Sequence, residues 1–141
     1  MFICDISVFN RYGKIKLDQM LAPVSLDWRQ LVVLFVLEQR PGISQAKLNP
    51  FLQTDKANVT KLLQAMEHEK LIHRTPDEKD QRNKLCFLTE AGEEQLPALH
   101  RILAEWESAC FAGLTAAERE ELERLNAIII KNLVGEWSQD N

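Results

Sequence analysis

The chain has 141 residues, 45% of them hydrophobic, with three cysteines and a net charge of −4 at pH 7. This composition indicates one globular domain with a hydrophobic core, and it excludes a disordered chain and a disulfide scaffold. The longest apolar run is only Leu31 to Leu37, and the first residues do not resemble a signal peptide, so we expect a cytoplasmic protein with no membrane partner. The net negative charge, taken alone, argues against binding to nucleic acid.

The first part of the chain is predicted to be helical. Apolar residues with helical spacing run from Ile3 to Leu21, and Ala22-Pro23 ends that pattern. Asp27 and Gln30 have the spacing of a capping box, and they precede a helix that is apolar on nearly all sides. This second helix should be central and buried, and it should stop at Pro41-Gly42.

A short helix and a longer amphipathic helix are predicted next. Ser44 is placed to cap a short helix that runs from Gln45 to about Asn49 or Leu52, and Pro50 should shorten or kink it. The longer helix begins after Thr54 or Asp55, and it combines one apolar stripe with an opposite face of short polar side chains. That opposite face carries Ala57, Asn58, Thr60, Lys61, Gln64 and His68.

Two short apolar runs around a charged loop predict a β-hairpin. The runs are residues 71–74 and 85–88, and a loop of about ten residues between them should project from the domain. Thr89 is placed to cap a long helix that runs to about Phe111. Thr115 opens a capping box, which predicts the start of a last helix.

The net charge conceals a segregation along the sequence. Residues 1–39 are neutral, residues 40–84 carry a net charge of +3, and residues 85–141 carry −7. A basic middle segment is typical of a surface that meets a polyanion. The order of helix, short helix, turn, helix and hairpin is the layout of a winged helix-turn-helix, whose second helix enters the major groove of DNA.

The hairpin and its neighbours carry the most specific motif. Residues 77–82 (DEKDQR), followed by residues 85–92 (LCFLTEAG), resemble the wing of the MarR family of bacterial transcription regulators. Residues 54–63 (TDKANVTKLL) are similar to the recognition helix of that family, and residues 69–74 and 114–118 also resemble it. The resemblance implies a mainly α fold with a small β-hairpin wing (α+β), in which the N- and C-terminal helices dimerise.

The resemblance also implies an organisation and a function for the single domain of residues 1–141. Residues 1–24 and 112–141 would be the dimerisation helices, residues 25–88 the DNA-binding winged helix-turn-helix, and residues 89–111 a long connecting helix. We expect a sequence-specific regulator of double-stranded DNA that acts as a ligand-responsive repressor, binding a pseudo-palindromic operator as a homodimer. No GxSxG, P-loop, GxGxxG or HExxH motif is present, so neither an enzyme nor a cofactor is predicted.

The resemblance assigns candidate contact residues by position. Arg82 matches the arginine of the wing tip that enters the minor groove, and Asp80 matches the residue that orients it. Two positions depart from the family, because Gln53 occupies a turn that often has a small residue and Pro50 interrupts the helix before it. The other predicted DNA contacts are Ser44, Gln45, Thr54, Lys56, Ala57, Asn58, Thr60, Lys61, Gln64, His68, Arg74, Lys79 and Lys84. The predicted dimer contacts are Ile3, Ile6, Leu122, Leu125, Ile129 and Leu133.

A regulatory site and two alternative functions remain open from the sequence. Tyr12, Trp28 and Trp106 are candidate walls of a cavity for a small aromatic or amphipathic effector. Cys4 lies where some family members carry a sensing cysteine, so one alternative is a thiol-redox regulator. The other alternative is a winged-helix module that binds protein and not DNA. The histidines have no partners at metal-ligand spacing, so no metal site is predicted.

Overall fold

The computed structural model describes residues 1–135, and in this range it contains six α-helices and one three-stranded sheet. In chain order the elements are α1 (Phe2–Leu21), α2 (Trp28–Gln39), β1 (Ile43–Ser44), α3 (Gln45–Leu52), α4 (Lys56–His68), β2 (Ile72–Pro76), β3 (Lys84–Leu88), α5 (Glu90–Cys110) and α6 (Ala116–Val134). The predicted mainly helical fold with a β-hairpin wing is confirmed.

The chain divides into two compact units, Met1–Trp106 and Glu107–Asn141, and the division falls within α5. The first unit holds the helix-turn-helix elements and the wing. The second unit contains α6, and residues 136–141 of the predicted C-terminal dimerisation segment lie outside the described residues.

Helix α2 is central to the first unit because apolar side chains cover most of its circumference. The predicted capping box is present, since the Gln30 N–H donates to Asp27 Oδ1 and the Asp27 N–H donates to Gln30 Oε1, each at 3.0 Å. A cap of this kind contributes about 1 kcal/mol, so burial of the helix contributes most of its stability. Four side chains of α2 are at most 2% exposed, namely Leu31, Val33, Leu34 and Leu37.

The sheet contains one strand more than the predicted hairpin. Antiparallel pairing gives the strand order β1-β3-β2, with Ile43 opposite Cys86 and Ile72 opposite Leu88. Strand β1 was not predicted, because its two residues are too few to show an alternating pattern. The loop of the wing covers residues 77–83 and is shorter than predicted, because both hairpin strands extend further towards it.

Residues 88–92 (LTEAG) form a Leu-Thr-x-x-Gly motif that joins the start of α5 to the residues just before β2. Thr89 Oγ1 donates to the Lys70 carbonyl oxygen at 2.5 Å and accepts from the Gly92 N–H at 3.1 Å. The Thr89 N–H donates to the Leu71 carbonyl oxygen at 3.1 Å. A Cβ atom on Gly92 would lie 2.1 Å from that same Leu71 oxygen, so only glycine fits here. The motif therefore holds β2 and α5 in close contact.

Within residues 1–135, no single helix is both long and apolar enough to cross a membrane. The segments Phe2–Val24 and Trp28–Gln39 reach that length and composition only as a pair, across a bend of 80°. The second of these segments is α2, whose apolar residues form part of the core.

Candidate nucleic-acid interface

Helix α4 presents a polar face to solvent because its opposite side is anchored in the core. Val59, Leu63 and Met66 are 0% exposed, which confirms the apolar stripe predicted for this helix. Thr60 is half-buried at the edge of the polar face. The exposed residues of α4 include Lys56, Ala57, Asn58, Lys61, Gln64 and His68. Short polar side chains on an exposed helix are suited to hydrogen bonding with base edges and phosphates.

The first turn of α4 is closed by a side-chain cap. Asp55 is the N-cap residue, and its Oδ1 accepts from the Asn58 N–H at 2.8 Å. The amide of Asn58 donates to Thr54 Oγ1 at 3.1 Å and to Asp55 Oδ2 at 3.3 Å. Thr54 and Asn58, both predicted to contact DNA, are therefore also part of the cap that starts the helix.

A partly buried ion pair between α4 and β2 fixes the wing against the polar-faced helix. Arg74 Nη2 and Nε lie 2.6 and 2.8 Å from Glu67 Oε1, and the Arg74 N–H donates to Glu67 Oε2 at 3.2 Å. Arg74 Nη1 donates to Gln45 Oε1 at 2.8 Å, and Gln45 Nε2 donates to Thr60 Oγ1 at 2.9 Å. The Arg74 side chain is only 4% exposed. One hydrogen-bonded network thus joins α3, α4 and β2.

This network changes the roles expected for several predicted contacts. The Arg74 side chain is nearly buried within this network, where it links the wing to α3 and α4, and its contact with DNA stays a prediction. Gln45 and Thr60 remain at the surface of the interface, but their side chains already hydrogen-bond to each other. Glu67 was not predicted, because the sequence does not show that an acid on the flank of α4 meets an arginine of the next strand.

Helix α3 differs from prediction at its first residues. Ser44 occupies the N-cap position, but its hydroxyl makes no capping hydrogen bond. Ser44 also belongs to β1, where it pairs with Leu85. The helix continues past Pro50 and ends at Leu52, which is the longer of the extents expected for it.

The turn between α3 and α4 is held by side chains from two other helices. Gln53 adopts a left-handed conformation with φ of 52°, a conformation that glycine adopts more easily because it has no Cβ atom. Lys14 of α1 donates to Gln53 Oε1, and Arg29 Nε of α2 donates to the Leu52 carbonyl oxygen at 3.2 Å. Burial lowers the pKa of Lys14, and the nearby Arg29 lowers it further. These contacts explain how the turn accommodates a glutamine at position 53, where the MarR family often has a small residue.

Two aspartates organise the tip of the wing. Asp77 Oδ1 accepts from the Lys79 N–H at 3.0 Å, and Asp80 Oδ1 accepts from the Arg82 N–H at 3.1 Å. The Asn83 N–H donates to the Asp80 carbonyl oxygen at 2.9 Å, which closes the turn. Asp80 therefore positions Arg82 through its backbone. The Arg82 guanidinium is exposed and has no ion pair with any of residues 1–135.

A groove of about 240 Å³ lies between α3, α4 and the wing, and we call it the interface groove. Its lining residues are Gln45, Ala46, Asn49, Lys56, Thr60, Gln64, Arg74, Arg82, Asn83 and Lys84. None of these described residues is acidic, and the exposed cations Lys56, Arg82 and Lys84 come from two elements and a loop. Asn49 was not predicted, and its Oδ1 is buried without a hydrogen-bond partner among the described residues. A concave surface with cations and amides is suited to phosphate and sugar contacts.

The three aromatic residues predicted to line an effector cavity lie in different surroundings. Trp106 Nε1 donates at 2.9 Å to a backbone oxygen of α1. The Trp28 ring lies 4.0 Å from Lys14 Nζ and 4.7 Å from Arg29 Cζ, an arrangement typical of cation–π contacts. Tyr12 is 61% exposed. Their shared role in an effector cavity stays a prediction.

The three cysteines differ in accessibility. Cys86 is buried in β3, and burial is the main reason that its pKa is raised to about 11. Cys4 and Cys110 are exposed, and a redox role for Cys4 stays a prediction. Among residues 1–135, no group of three or more His, Cys, Asp or Glu could hold a metal ion.

Cys4 and Cys86 should differ in their rates of alkylation. Because the thiolate is the reactive form, a thiol with a raised pKa stays protonated and unreactive until the pH approaches that value. We expect iodoacetamide at pH 8 to modify Cys4 at least about tenfold faster than Cys86, as measured by peptide mass spectrometry. Unfolding in urea is the control and should make the rates similar. Equal rates in the native protein would contradict the buried position of Cys86.

Comparison with known proteins identifies relatives of this fold and sequence. A sequence model of the MarR family matches residues 26–84. The HTH-type transcriptional repressor IacR of Pseudomonas putida is 24% identical over 126 residues, covering 89% of this chain and 75% of the relative. The crystal structure of a MarR transcriptional regulator from Methanosarcina mazei Go1 is 31% identical with a TM-score of 0.84, covering 93% of this chain and 95% of that one. The S. aureus MepR–DNA complex is 26% identical with a TM-score of 0.78, covering 94% and 98%.

Proposed function

The chain belongs to the MarR family of transcription regulators, and we propose that it binds a pseudo-palindromic operator as a homodimer, repressing nearby genes until a small ligand weakens that binding. The observation that supports this most is the interface groove, which cations from α4 and the wing line and which no carboxylate of residues 1–135 lines. Two relatives support this proposal: IacR is named as a transcriptional repressor, and MepR has been solved in complex with DNA.

In the proposed complex, α4 lies in the major groove and the wing follows the adjacent backbone. Lys61 and Gln64 are exposed on the polar face of α4, where they can reach base edges. Lys56 and Lys84 line the interface groove and can neutralise phosphates. Arg82 projects from the wing tip and can enter the minor groove, whose negative potential attracts arginine. Lys79 and His68, also exposed, would contact phosphates.

The proposed dimer uses apolar surfaces at both ends of the chain. In α1, Ile3 and Ile6 are exposed, together with Phe2 and Phe9. In α6, no residue is buried among those described, and Leu133 is 74% exposed. The other predicted contacts of α6 are the exposed Leu122 and Leu125 and the half-buried Ile129. Exposed apolar side chains grouped on a helix are typical of protein interfaces.

Two winged helices in one dimer would meet two half-sites about 34–36 Å apart, which is one turn of DNA. A ligand that favours a different separation of the two α4 helices would weaken binding, because it needs only to bind one of two conformations better. The net charge of −7 in residues 85–141 should limit non-specific attraction to DNA.

Fluorescence anisotropy tests the proposed function. The labelled probe is the duplex next to the protein's own gene, and a shuffled duplex of the same composition is the control. We expect tighter binding to the first duplex, with affinity falling by about 0.9 log units per log unit of salt for each phosphate neutralised. Equal affinity for both duplexes, or binding that does not change with salt, would contradict the proposal.

Lys61 offers a test of the major-groove contact. Replacing Lys61 by alanine should weaken operator binding by about 1–3 kcal/mol if the ammonium group reads a base. The fold should not change, because the side chain is exposed. The matched control is Lys16→Ala, which removes an exposed lysine of α1 outside the interface groove. Equal losses in both variants would argue against a specific contact by Lys61.

A further inference from the structure

A second cavity, of about 420 Å³, lies between the end of α2, the two wing strands and the start of α5. We call it the wing-base cavity. Sites for small molecules usually have volumes of about 300–1,000 Å³, so the wing-base cavity has room for a compact organic ligand. None of the residues predicted to contact DNA, or to line the effector cavity, lines this one.

The chemistry of the wing-base cavity combines an apolar surface with negative charge. Neither lysine nor arginine lines it among the described residues. The lining residues that matter here are the apolar Leu37, Phe87, Leu88 and Leu96 and the carboxylates Glu38 and Glu93. A ligand that matches this surface has an apolar body and one positive charge.

The two carboxylates of the wing-base cavity differ in their partners. Both oxygens of Glu38 lie 2.9 Å from His100 Nε2, and the His100 ring stacks on Phe35 with the ring centroids 4.6 Å apart. Glu38 is therefore held in place by contacts outside the cavity. Glu93, in the first turn of α5, is exposed and has no ion pair with any of residues 1–135. Its charge is available to a ligand.

Phe87 provides an aromatic surface that is fixed on more than one side. Its ring stacks on His73, its partner on the adjacent strand, with centroids 5.2 Å apart and an angle of 12° between the rings. A Cβ atom on Gly42 would lie 3.1 Å from two atoms of the same ring, and Gly42 has φ of 82°. The absence of a side chain at Gly42 thus lets the ring pack against the backbone.

We propose that the wing-base cavity binds a small organic cation, an amine with an aromatic or alkyl body. The ammonium group lies between Glu38 and Glu93, and the body packs on Phe87 and Leu96. An organic anion of the same shape is rejected, because its carboxylate would face two carboxylates across a partly apolar surface.

Binding in this cavity is coupled to the wing. Phe87 and His73 belong to β3 and β2, the two strands that carry the loop of residues 77–83. A ligand that packs on the Phe87 ring presses on both strands and changes the position of the wing, and the affinity for operator DNA falls. This second step rests on the proposed function, whereas binding of the amine does not.

Calorimetry of the full chain without DNA tests the first step. The probes are 4-phenylbutylamine, 4-phenylbutyrate and 4-phenylbutanol, which share one body and differ in charge. We expect the amine to bind at least about tenfold more tightly than the other two, and Glu93→Gln to weaken the amine about tenfold. The matched control is Glu94→Gln, which removes an exposed neighbouring charge that does not line the cavity. Equal binding of amine and carboxylate, or no effect of Glu93→Gln, would overturn the proposal.

Anisotropy with operator DNA tests the second step. Saturating 4-phenylbutylamine should lower the operator affinity of the wild type and of Glu94→Gln, and should have much less effect on Glu93→Gln. If the amine binds but operator affinity is unchanged, the coupling to the wing is wrong. If no duplex binds under any condition, the proposed function fails while the calorimetric result stands. If DNA binds but no heat of amine binding is measured, only the cavity assignment fails.

Discussion

Replacing Arg74 by alanine is expected to lower the free energy of unfolding by about 2–3 kcal/mol and to abolish operator binding. The Arg74 side chain is 4% exposed, and its removal leaves Glu67 Oε1 and Gln45 Oε1 without the guanidinium donors, while the backbone N–H of residue 74 still reaches Glu67 Oε2. Since the Glu67 side chain is 33% exposed, water can partly replace the arginine, which keeps the loss below that of a fully buried pair. Binding is lost because the wing is no longer fixed against α4.

Urea unfolding and anisotropy measure the two effects of this substitution. Arg101→Ala is the matched control, since Arg101 is an exposed arginine on α5. Arg74→Lys keeps the charge but lacks the planar fork whose three nitrogens donate to Glu67 and Gln45, so we expect a smaller loss of stability and still a clear loss of binding. An Arg74→Ala variant with the stability and affinity of the wild type would show that the network has no positioning role.

Introducing charge into the apolar surface of α6 is expected to separate the proposed dimer. The double substitution Leu125→Glu and Leu133→Glu places two carboxylates on a surface that would face a second copy. The chain should still fold, because these side chains are 43% and 74% exposed without a partner. A monomer binds one half-site instead of two linked half-sites, so operator affinity should fall by a factor of about 10²–10⁴.

Light scattering at micromolar concentration measures the oligomeric state of this variant, and anisotropy measures its affinity. The matched control is Ala127→Glu, an exposed position about 200° around the helix from Leu125, which adds charge away from the apolar stripe. The control should remain dimeric with unchanged operator affinity. A wild-type protein with the mass of a monomer, or a dimeric double variant, would contradict the proposed interface.

The features that the sequence predicted well depend on residues that are close together in the sequence. The box of Asp27 and Gln30, the apolar stripe of α4 and the box that starts α6 each involve residues within a few turns of one helix. Periodicity and capping are therefore readable without knowledge of the tertiary structure. Strand β1 was missed because its pairing with β3 joins residues more than forty positions apart.

Long-range contacts also explain why the candidate site was only partly predicted. Arg74 and Arg82 both lie in the wing segment, and both were predicted to contact DNA, with Arg82 alone assigned to the minor groove by the resemblance. The structure separates them, because β2 directs Arg74 towards Glu67 and Gln45, while the loop leaves Arg82 exposed. Asn49 was overlooked for the same reason, since its place in the interface groove depends on how α3 packs beside α4.

The wing-base cavity was not predictable from the sequence. Glu38 and Glu93 are separated by more than fifty residues, and neither belongs to a motif that indicates ligand binding. The cavity forms where α2, the wing strands and α5 meet. The contacts of Thr89 and Gly92 with residues 70 and 71 hold α5 close to β2 at this place.

The salt dependence of operator affinity for Arg82→Ala, measured beside the wild type, tests the DNA-binding role of the wing most directly. Arg82 is exposed at the wing tip, so its removal should leave stability unchanged. If the wing enters the operator, affinity should fall by at least about tenfold, and the slope of log affinity against log salt should become shallower by about 0.9. An Arg82→Ala variant with the affinity and salt slope of the wild type would contradict a winged helix that reads DNA through this loop.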